Sequence, residues 1–318
     1  VLGLALSIYD PRGLTSLLQD QVFDLYQRIL PRSPAEAGPR TVYIDIGTKS
    51  AEQFGAWPWP RKRLDDLVSI VRDAGASAIM LDMPVDENDP TSQAELLKLW
   101  GSLDHVPSAY GLQMGLSEMP DYDRHLATLL AEIPSVVSFV PGKTAIGTQR
   151  QPDPKIVIAS QGSDARHYTR NFTEWRTSLS HLASMAKGNG ATLSDRVPGS
   201  AVRVIPLVVS LGGNLYPSNV LETLRVYREG TGYRANVAEP ENGFAIGMVP
   251  GIDRISIDGT ELTALTSPDG GLRLYFGGPD TRVTVAAADI INRVAGLPSL
   301  DGKIVVIGVS ANGSDRFY

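Results

Sequence analysis

The stretch TVYIDIGTKSAEQFGAWPWPRKRLDDLVSIVRDAGASAIMLDM, residues 41–83, carries the clearest fold signal of this chain. It opens with a β-branched run, TVYIDI, that is typical of a buried strand, and it closes with a second apolar run, ASAIMLDM. A helix between the two is marked by apolar residues three and four positions apart, namely Leu64, Leu67, Val68 and Val71. Gly75 ends that helix in the manner of a C-cap. The order strand, loop, helix, strand predicts parallel pairing with a right-handed crossover.

The remainder of the chain predicts further strands and helices around this unit. Apolar runs predict strands at 135–140, 201–211 and 303–309, of which the last, KIVVIGV, has the composition of a central strand. Helices are predicted at 94–100, 124–131, 173–186, 220–227 and 285–294. Short strands are predicted at 244–249, 255–257 and 272–276. We therefore predict an α/β fold with a mixed, largely parallel sheet, helices on both faces and a β-rich second half.

The N-terminal region has a different character. LGLALSI, residues 2–8, is too short to span a bilayer, which takes about 20 residues. We expect it to be either the tail of a membrane helix or the start of a buried one. An apolar stripe predicts a juxtamembrane helix over 14–30, and prolines then form a linker. We predict a membrane-proximal helix and linker at 1–39 and a main domain at 40–318, with residues 141–200 as an insertion.

Composition excludes several function classes. A formal net charge of −6 with no long basic run argues against a nucleic-acid partner. The absence of cysteine excludes disulfides, thiolate metal sites and a cysteine nucleophile. The four histidines have no metal-ligand spacing, and no glycine motif for a nucleotide cofactor follows a strand. The stretch 308–313 lacks the second glycine of a nucleophile elbow. We predict no catalytic residue, no metal and no cofactor.

The segment GAWPWPR, residues 55–61, is the first candidate binding feature. Proline restricts its own backbone and that of the preceding residue, so the two tryptophans sit on a stiff arm. Trp57, Trp59 and Arg61 are residue types that dominate binding hot spots, and they are candidates for a ligand cleft or a dimer interface. The alternative, favoured for at least one tryptophan, is that the rings cap the core.

Acids near strand ends form the second candidate feature. Asp45 ends the first strand, Asp82 ends the second and Asp315 follows the last. Ligands of open α/β sheets bind outside the carboxyl ends of the strands, so these carboxylates are candidates to bind a hard cation or a polar ligand. The alternative is that Asp45 and Asp82 cap loops or pair with arginine. The acidic stretch 82–89 lacks the glycine and terminal glutamate of a calcium loop, which favours a solvated loop.

Taken in order, these segments resemble the CHASE2 family. The resemblance consists of a strand ending in aspartate, the loop G-x-W-P-W-P-R, the sequence Ala-Gly-Ala before a second strand ending in aspartate, and L-x-G-K-I-V-x-I-G near the end. In this chain they lie at 41–47, 55–61, 74–82 and 300–308. Ile205-Pro206-Leu207, the stretch 271–277 and Asn312-Gly313-Ser314-Asp315 add to the match. Residues 141–200 do not map onto the family pattern.

The resemblance implies a non-enzymatic domain that senses an unknown small-molecule or ion signal. It implies a position outside the bacterial cytoplasmic membrane, facing the periplasm or the cell exterior, attached through flanking membrane helices. A cytoplasmic nucleotide cyclase or kinase is then the expected output, and a homodimer is the expected assembly. Two alternatives remain: a structural module that dimerises the receptor, and a hydrolase that uses Asp45 and Asp82 as acid, base or metal ligands.

Overall fold

A computed structural model of the chain describes residues 14–31, 40–89, 91–101, 119–142, 151–152, 154–193, 202–239, 249–276 and 283–310. Its helices are α1 (Leu14–Ile29), α2 (Thr48–Phe54), α3 (Arg61–Asp73), α4 (Gln93–Gly101), α5 (Tyr122–Glu132), α6 (Ser180–Met185), α7 (Asn219–Tyr227) and α8 (Ala287–Ile291). Within these residues no helix has both the length and the apolar character needed to cross a bilayer.

The strands fall into one large sheet and three smaller ones. They are β1 (Thr41–Asp45), β2 (Ala78–Leu81), β3 (Ser135–Gly142), β4 (Ile158–Gln161), β5 (Asn171–Phe172), β6 (Glu174–Thr177), β7 (Gly188–Ala191), β8 (Val204–Pro206), β9 (Val208–Leu211), β10 (Asn214–Pro217), β11 (Gly232–Ala238), β12 (Gly251–Asp258), β13 (Thr263–Leu265), β14 (Gly271–Arg273), β15 (Val283–Ala286) and β16 (Ile304–Gly308). The predicted α/β class with a mixed sheet is confirmed.

The central sheet has the order β15-β1-β16-β2-β3, with β6 and β7 both pairing with β3. All of its pairings are parallel except that between β3 and β6. The final strand of the described chain therefore lies between β1 and β2. The β-α-β unit predicted from residues 41–83 is present, but its two strands are separated by β16 and do not pair with each other.

Both faces of this sheet pack apolar side chains against helices. On one face Ile44, Leu81 and Ile307 belong to the main core, together with Leu64 of α3 and Leu130 of α5. On the other face a small cluster of Met80, Val136 and Val306 packs against Val226 of α7. The alternation of side chains along each strand explains this division, because residues 80 and 81 must point to opposite faces. Helices on both faces of the sheet are thus confirmed.

The β-rich second half is built around a four-stranded sheet of order β13-β12-β11-β4. Tyr233, Ile255 and Ile257 of this sheet are almost completely buried, in a cluster that also holds Leu221 of α7. A two-stranded β8-β14 ribbon and a three-stranded β10-β9-β5 sheet complete the described part. Helix α7 therefore lies along the central sheet and also packs apolar side chains against the second sheet.

Three predicted elements need correction. The run 285–294, predicted as a helix, begins as strand β15 and becomes helical only at Ala287, since its β-branched start pairs with β1. In the stretch 173–186 only α6 is helical, and Glu174–Thr177 pairs with β3. The strand predicted over 201–211 is split into β8 and β9, which join different sheets. The strand predicted at 244–249 lies almost entirely outside the described residues.

Residues 141–200 contribute to the main architecture of the described chain. Strands β6 and β7 extend the central sheet beyond β3, and β4 pairs with β11 of the second sheet. The stretch is therefore not peripheral in its contacts. Strand pairing does not show whether a segment was inserted into an ancestral domain. The insertion at 141–200 and the domain boundary between residues 39 and 40 therefore stay predictions.

Candidate functional site

Two of the predicted acids lie at the same level of the central sheet. In the register of the parallel strands Asp45 is opposite Gly308, and Asp82 follows Leu81, which is opposite Ile307. The Asp82 amide donates to the Ile307 carbonyl at 2.8 Å. Asp45 and Asp82 therefore flank Gly308 at the carboxyl end of the sheet, two strand spacings or about 10 Å apart along the row. Side-chain alternation places both carboxylates on the face that carries α7. We call Asp45, Gly308 and Asp82, with the groups around them, the strand-end site.

Asp82 is held by two neutral donors. The Asn219 amide donates to Asp82 Oδ1 at 2.6 Å, and the Thr192 hydroxyl donates to the same oxygen at 3.1 Å. Asn219 is the first residue of α7, whose N-terminus is capped by the Ser218 side chain. Both donors bind Oδ1. Within the described part of the chain Oδ2 accepts no hydrogen bond, so its lone pairs are available to a ligand.

Burial raises the pKa of Asp82 to about 6, against the opposing effect of the hydrogen bonds from Thr192 and Asn219, which lower it. No basic side chain of the described residues contributes to this shift. A carboxylate that is removed from water without a cation favours its protonated form. A bound cation or a strong hydrogen-bond donor would supply the missing compensation and would lower the pKa again.

Asp45 has a buried oxygen with no partner. Its Oδ1 is shielded from solvent and makes no hydrogen bond to the described residues. Its Oδ2 and the Ser310 hydroxyl both lie within 3 Å of the point where a Cβ on Gly47 would stand, so the two side chains crowd the same small space. Any residue other than glycine at position 47 would displace the carboxylate. A buried acceptor without a donor costs free energy, which a bound donor group would recover.

Gly308 makes room at the centre of the row for the Tyr43 side chain. A Cβ on Gly308 would stand 2.2 Å from the Tyr43 hydroxyl, so the tyrosine ring reaches across the strand into the space that a side chain would fill. Tyr43 is two residues before Asp45 on β1 and shares its face. The strand-end site thus presents a hydroxyl above Gly308, with a carboxylate on the strand to either side.

The aromatic arm lies on the opposite face of the sheet. Trp59 is 2% exposed and belongs to the main core, and its indole N–H donates to the Gly55 carbonyl at 2.8 Å. Trp57 is partly buried against that core, with its ring 6.4 Å from that of Trp59. The Trp57–Pro58 peptide bond is cis. The arm is therefore separated from the acid pair by the thickness of the sheet.

Arg61 begins α3 and is 5% exposed. It forms an ion pair with Asp123 of α5 and donates to the Glu87 carbonyl at 2.7 Å. These contacts join α3 to α5 and to the loop after β2. The guanidinium charge is compensated inside the chain, so the geometry gives Arg61 a structural role; a ligand contact by Trp57, Trp59 or Arg61 stays a prediction.

Asp315, the third predicted acid, lies outside the described residues. The sequence did not single out Tyr43, Thr192 or Asn219, which complete the site. Ser218 followed by an apolar helix was a detectable N-cap signal, but nothing in the sequence places that N-terminus on Asp82. Among the described residues no three Asp, Glu or His side chains come together in a group that could hold a metal ion. The arrangement is instead suited to a ligand that donates hydrogen bonds or carries positive charge.

The raised pKa of Asp82 predicts a pH-dependent stability. The folded pKa of about 6 exceeds the unfolded value of about 3.9, so the associated stability is fully present below pH 4 and is lost as the pH rises through 6. Asp82→Asn keeps an acceptor for Asn219 and removes the titration. Relative to wild type it should gain up to about 3 kcal/mol in free energy of unfolding between pH 4 and pH 7. Urea denaturation at several pH values measures this, with the exposed Asp301→Asn as control. A difference between wild type and the Asp82→Asn variant that does not vary with pH would contradict the prediction.

Loss of the Arg61–Asp123 ion pair should destabilise the domain. Arg61→Ala leaves a largely buried carboxylate without its cation and should lower the free energy of unfolding by about 3 kcal/mol. Lys62→Ala removes the neighbouring, exposed partner of Asp66 and should cost less than about 1 kcal/mol. Chemical denaturation of both variants provides the comparison; equal effects would show that Arg61 is not a structural anchor.

Comparison with known proteins supplies a family. The family model described as CHASE2 domain matches residues 1–318, the whole chain. No curated protein and no solved structure matches it. The family consists of extracytoplasmic sensory domains that are not catalytic. The motifs at 41–47, 55–61 and 300–308 form strand β1, the loop before α3 and strand β16 of this fold. The chain is a member of the CHASE2 family of extracytoplasmic sensory domains.

Proposed function

We propose that this domain binds its signal at the strand-end site and that the signal is a small molecule with cationic or hydrogen-bond-donating groups. The observation that carries the proposal is the buried Oδ1 of Asp45, which has no partner among the described residues and lies on the same row of the sheet as Asp82. Both side chains offer acceptors, and a spacing of about 10 Å between their strands suits a ligand with two donor groups or a hydrated cation. A free anion is disfavoured because the two carboxylates would repel it.

Helix α7 is the element that we propose to respond to the ligand. Its first residue, Asn219, bonds to Asp82, so a ligand that binds Asp82 changes the charge that faces this helix end. Further along the helix, Glu222 and Arg225 form a buried ion pair at 2.7 Å, and the Tyr233 hydroxyl of β11 donates to Glu222. A displacement at Asn219 would therefore reach the second sheet. Only a ligand with different affinities for two arrangements of α7 would produce a signal.

We further propose that the domain belongs to a bacterial transmembrane receptor and faces the periplasm or the cell exterior. A cytoplasmic cyclase or kinase would then be the output. Family membership supports the sensory role, and the receptor context follows from the sequence resemblance. A second candidate function, a module that dimerises the receptor without a ligand, is favoured by one observation: a row of exposed apolar residues on α1.

A thermal-shift screen with charged probes tests ligand binding. The probes are Mg²⁺, Ca²⁺, linear diamines and polyamines, cationic amino acids and, as a contrasting class, phosphate and dicarboxylates. A probe that binds only the folded state at about 100 times its Kd should add about 2.7 kcal/mol of stability. We expect stabilisation by a cationic probe, weaker below pH 6 because Asp82 is then protonated.

Two substitutions, one at a buried carboxylate and one at an exposed carboxylate, make the screen specific. Asp45→Asn should abolish the stabilisation by the cationic probe, whereas Asp301→Asn should retain it. Equal stabilisation of wild type and Asp45→Asn would place the binding elsewhere. Stabilisation by anionic probes alone would contradict the proposed ligand class, and a chain that binds none of the probes while forming a dimer would favour the scaffold function.

A further inference from the structure

A cavity of about 530 Å³ lies beside helix α6, on the face of the central sheet away from the strand-end site. We call it the α6 cavity. Its wall includes Asn189 of β7, which pairs with Val137 of β3. Gly188 and Gly190, on either side of Asn189, face α7, so Asn189 points to the opposite face. The volume is within the roughly 300–1,000 Å³ that is typical of small-molecule sites.

The walls of the α6 cavity are held in place by hydrogen bonds within the chain. The Val85 amide donates to the Ser178 hydroxyl at 3.0 Å, and the Leu179 amide donates to the Val85 carbonyl at 2.8 Å. These bonds join the loop after β2 to the segment between β6 and α6. On another wall the Tyr216 hydroxyl donates to the Pro152 carbonyl at 2.6 Å. A cavity with fixed walls binds a ligand with little free-energy cost for ordering its own loops.

The charge in the wall is compensated within the chain. Asp86 lines the cavity and forms an ion pair with Arg176 of β6 through two hydrogen bonds. The other titratable group among the described wall residues is His181, which is exposed on α6. No lysine or arginine of the described residues lines the cavity. An uncharged ligand therefore suits this space better than a free ion.

Uncharged polar groups make up most of the remaining described wall. They are the hydroxyl and amide side chains of Gln151, Thr177, Ser178, Ser180, Ser184 and Asn189. The hydroxyls of Thr177 and Ser184 donate to backbone carbonyls at 2.8 Å and 3.0 Å, so their oxygens remain acceptors. The Gln151 amide donates one N–H to the Leu211 carbonyl at 2.7 Å and has a second N–H to donate. Leu179 and Ala183 add apolar surface.

We propose that the α6 cavity binds an uncharged polyhydroxylated small molecule, of the sugar or polyol class. The hydroxyls of such a ligand donate to the oxygens of Thr177 and Ser184 and accept from the Gln151 amide, while its C–H groups pack against the apolar part of the wall. The α6 cavity is distinct from the strand-end site, because none of its described wall residues belongs to that site. The two are joined by one short segment, with Asp82 at the first and Asp86 at the second.

Isothermal titration calorimetry on the whole 318-residue chain tests this proposal. The probes are glucose, galactose, ribose, mannitol, sucrose and trehalose. Each is kept below about 5 mM, because concentrated sugars stabilise any protein by exclusion from its surface. At least one probe should bind with a Kd below about 1 mM. Thr177→Val keeps the side-chain shape without the hydroxyl and should weaken binding about fivefold, the effect of one hydrogen bond. Thr263→Val, at an exposed threonine of β13 outside the cavity, is the matched control and should leave the Kd unchanged.

A second variant blocks the cavity without altering a buried group. Ser184 is exposed on α6, and Ser184→Phe should abolish binding of the probe while the far-ultraviolet circular dichroism stays unchanged. Failure of all six probes to bind, or binding that neither cavity variant weakens, would overturn the proposal. Binding of phosphate or a polyamine alone, lost in Ser184→Phe, would contradict the uncharged ligand class. Asp45→Asn should bind the sugar probe with wild-type affinity, so failure of the α6 cavity is distinguishable from failure of the strand-end site.

Discussion

The parallel register of the central sheet places β16 between β1 and β2, and both the core and the strand-end site follow from this position. It aligns Ile44, Ile307 and Leu81 on the core face and Asp45, Gly308 and Asp82 on the other. The same pairing therefore builds the core and the strand-end site. Strand β16 is the last described strand, at residues Ile304–Gly308. The central sheet therefore lacks its middle strand until this late part of the chain has been synthesised and has paired with β1 and β2. Non-local pairing of this kind closes long loops and is intrinsically slow. The site consequently exists only in the completed fold, since its row draws on strands from both ends of the described chain.

Helix α7 connects the strand-end site to the second sheet through hydrogen bonds at Asn219 and Glu222. Gly190 allows its N-terminus to approach β7 so closely that a Cβ there would stand 2.3 Å from the Asn219 Cα. Its buried Glu222–Arg225 pair, with Tyr233 and the Lys187 carbonyl, fixes the helix to both sheets. A buried ion pair contributes little net stability, but removal of one partner leaves an uncompensated buried charge. The pair therefore fixes the position of the helix more than it stabilises the fold. A helix whose first residue bonds to a titratable carboxylate, and whose buried ion pair contacts the second sheet, connects the strand-end site to both sheets.

The sequence reveals much of the fold and about half of the site. The run 41–83 predicts its strands, its helix and the carboxylates at the strand ends because each depends on local pattern. The helix predicted at 285–294 was wrong at its start because Val283–Ala286 gains more from pairing with β1 than from local helix propensity. Thr192 and Asn219 were not found, since their role depends on where α7 lies and no local pattern encodes that. Trp59 and Arg61 stand out in the sequence for their rarity and charge, yet both are buried among partners of the same chain, as large side chains in a core often are.

Carbon-13 NMR of the aspartate carboxyl carbons, with Asp45 and Asp82 assigned from their Asp→Asn variants, can detect a ligand at the strand-end site. We expect the Asp82 resonance to titrate with a midpoint near pH 6 in the free domain. A stabilising cationic probe should lower this midpoint and shift the Asp45 resonance at the same probe concentration, because one ligand contacts both carboxylates. A midpoint for Asp82 near the ordinary value of about 4, or a stabilising probe that leaves both resonances unchanged, would contradict a ligand site at this end of the sheet.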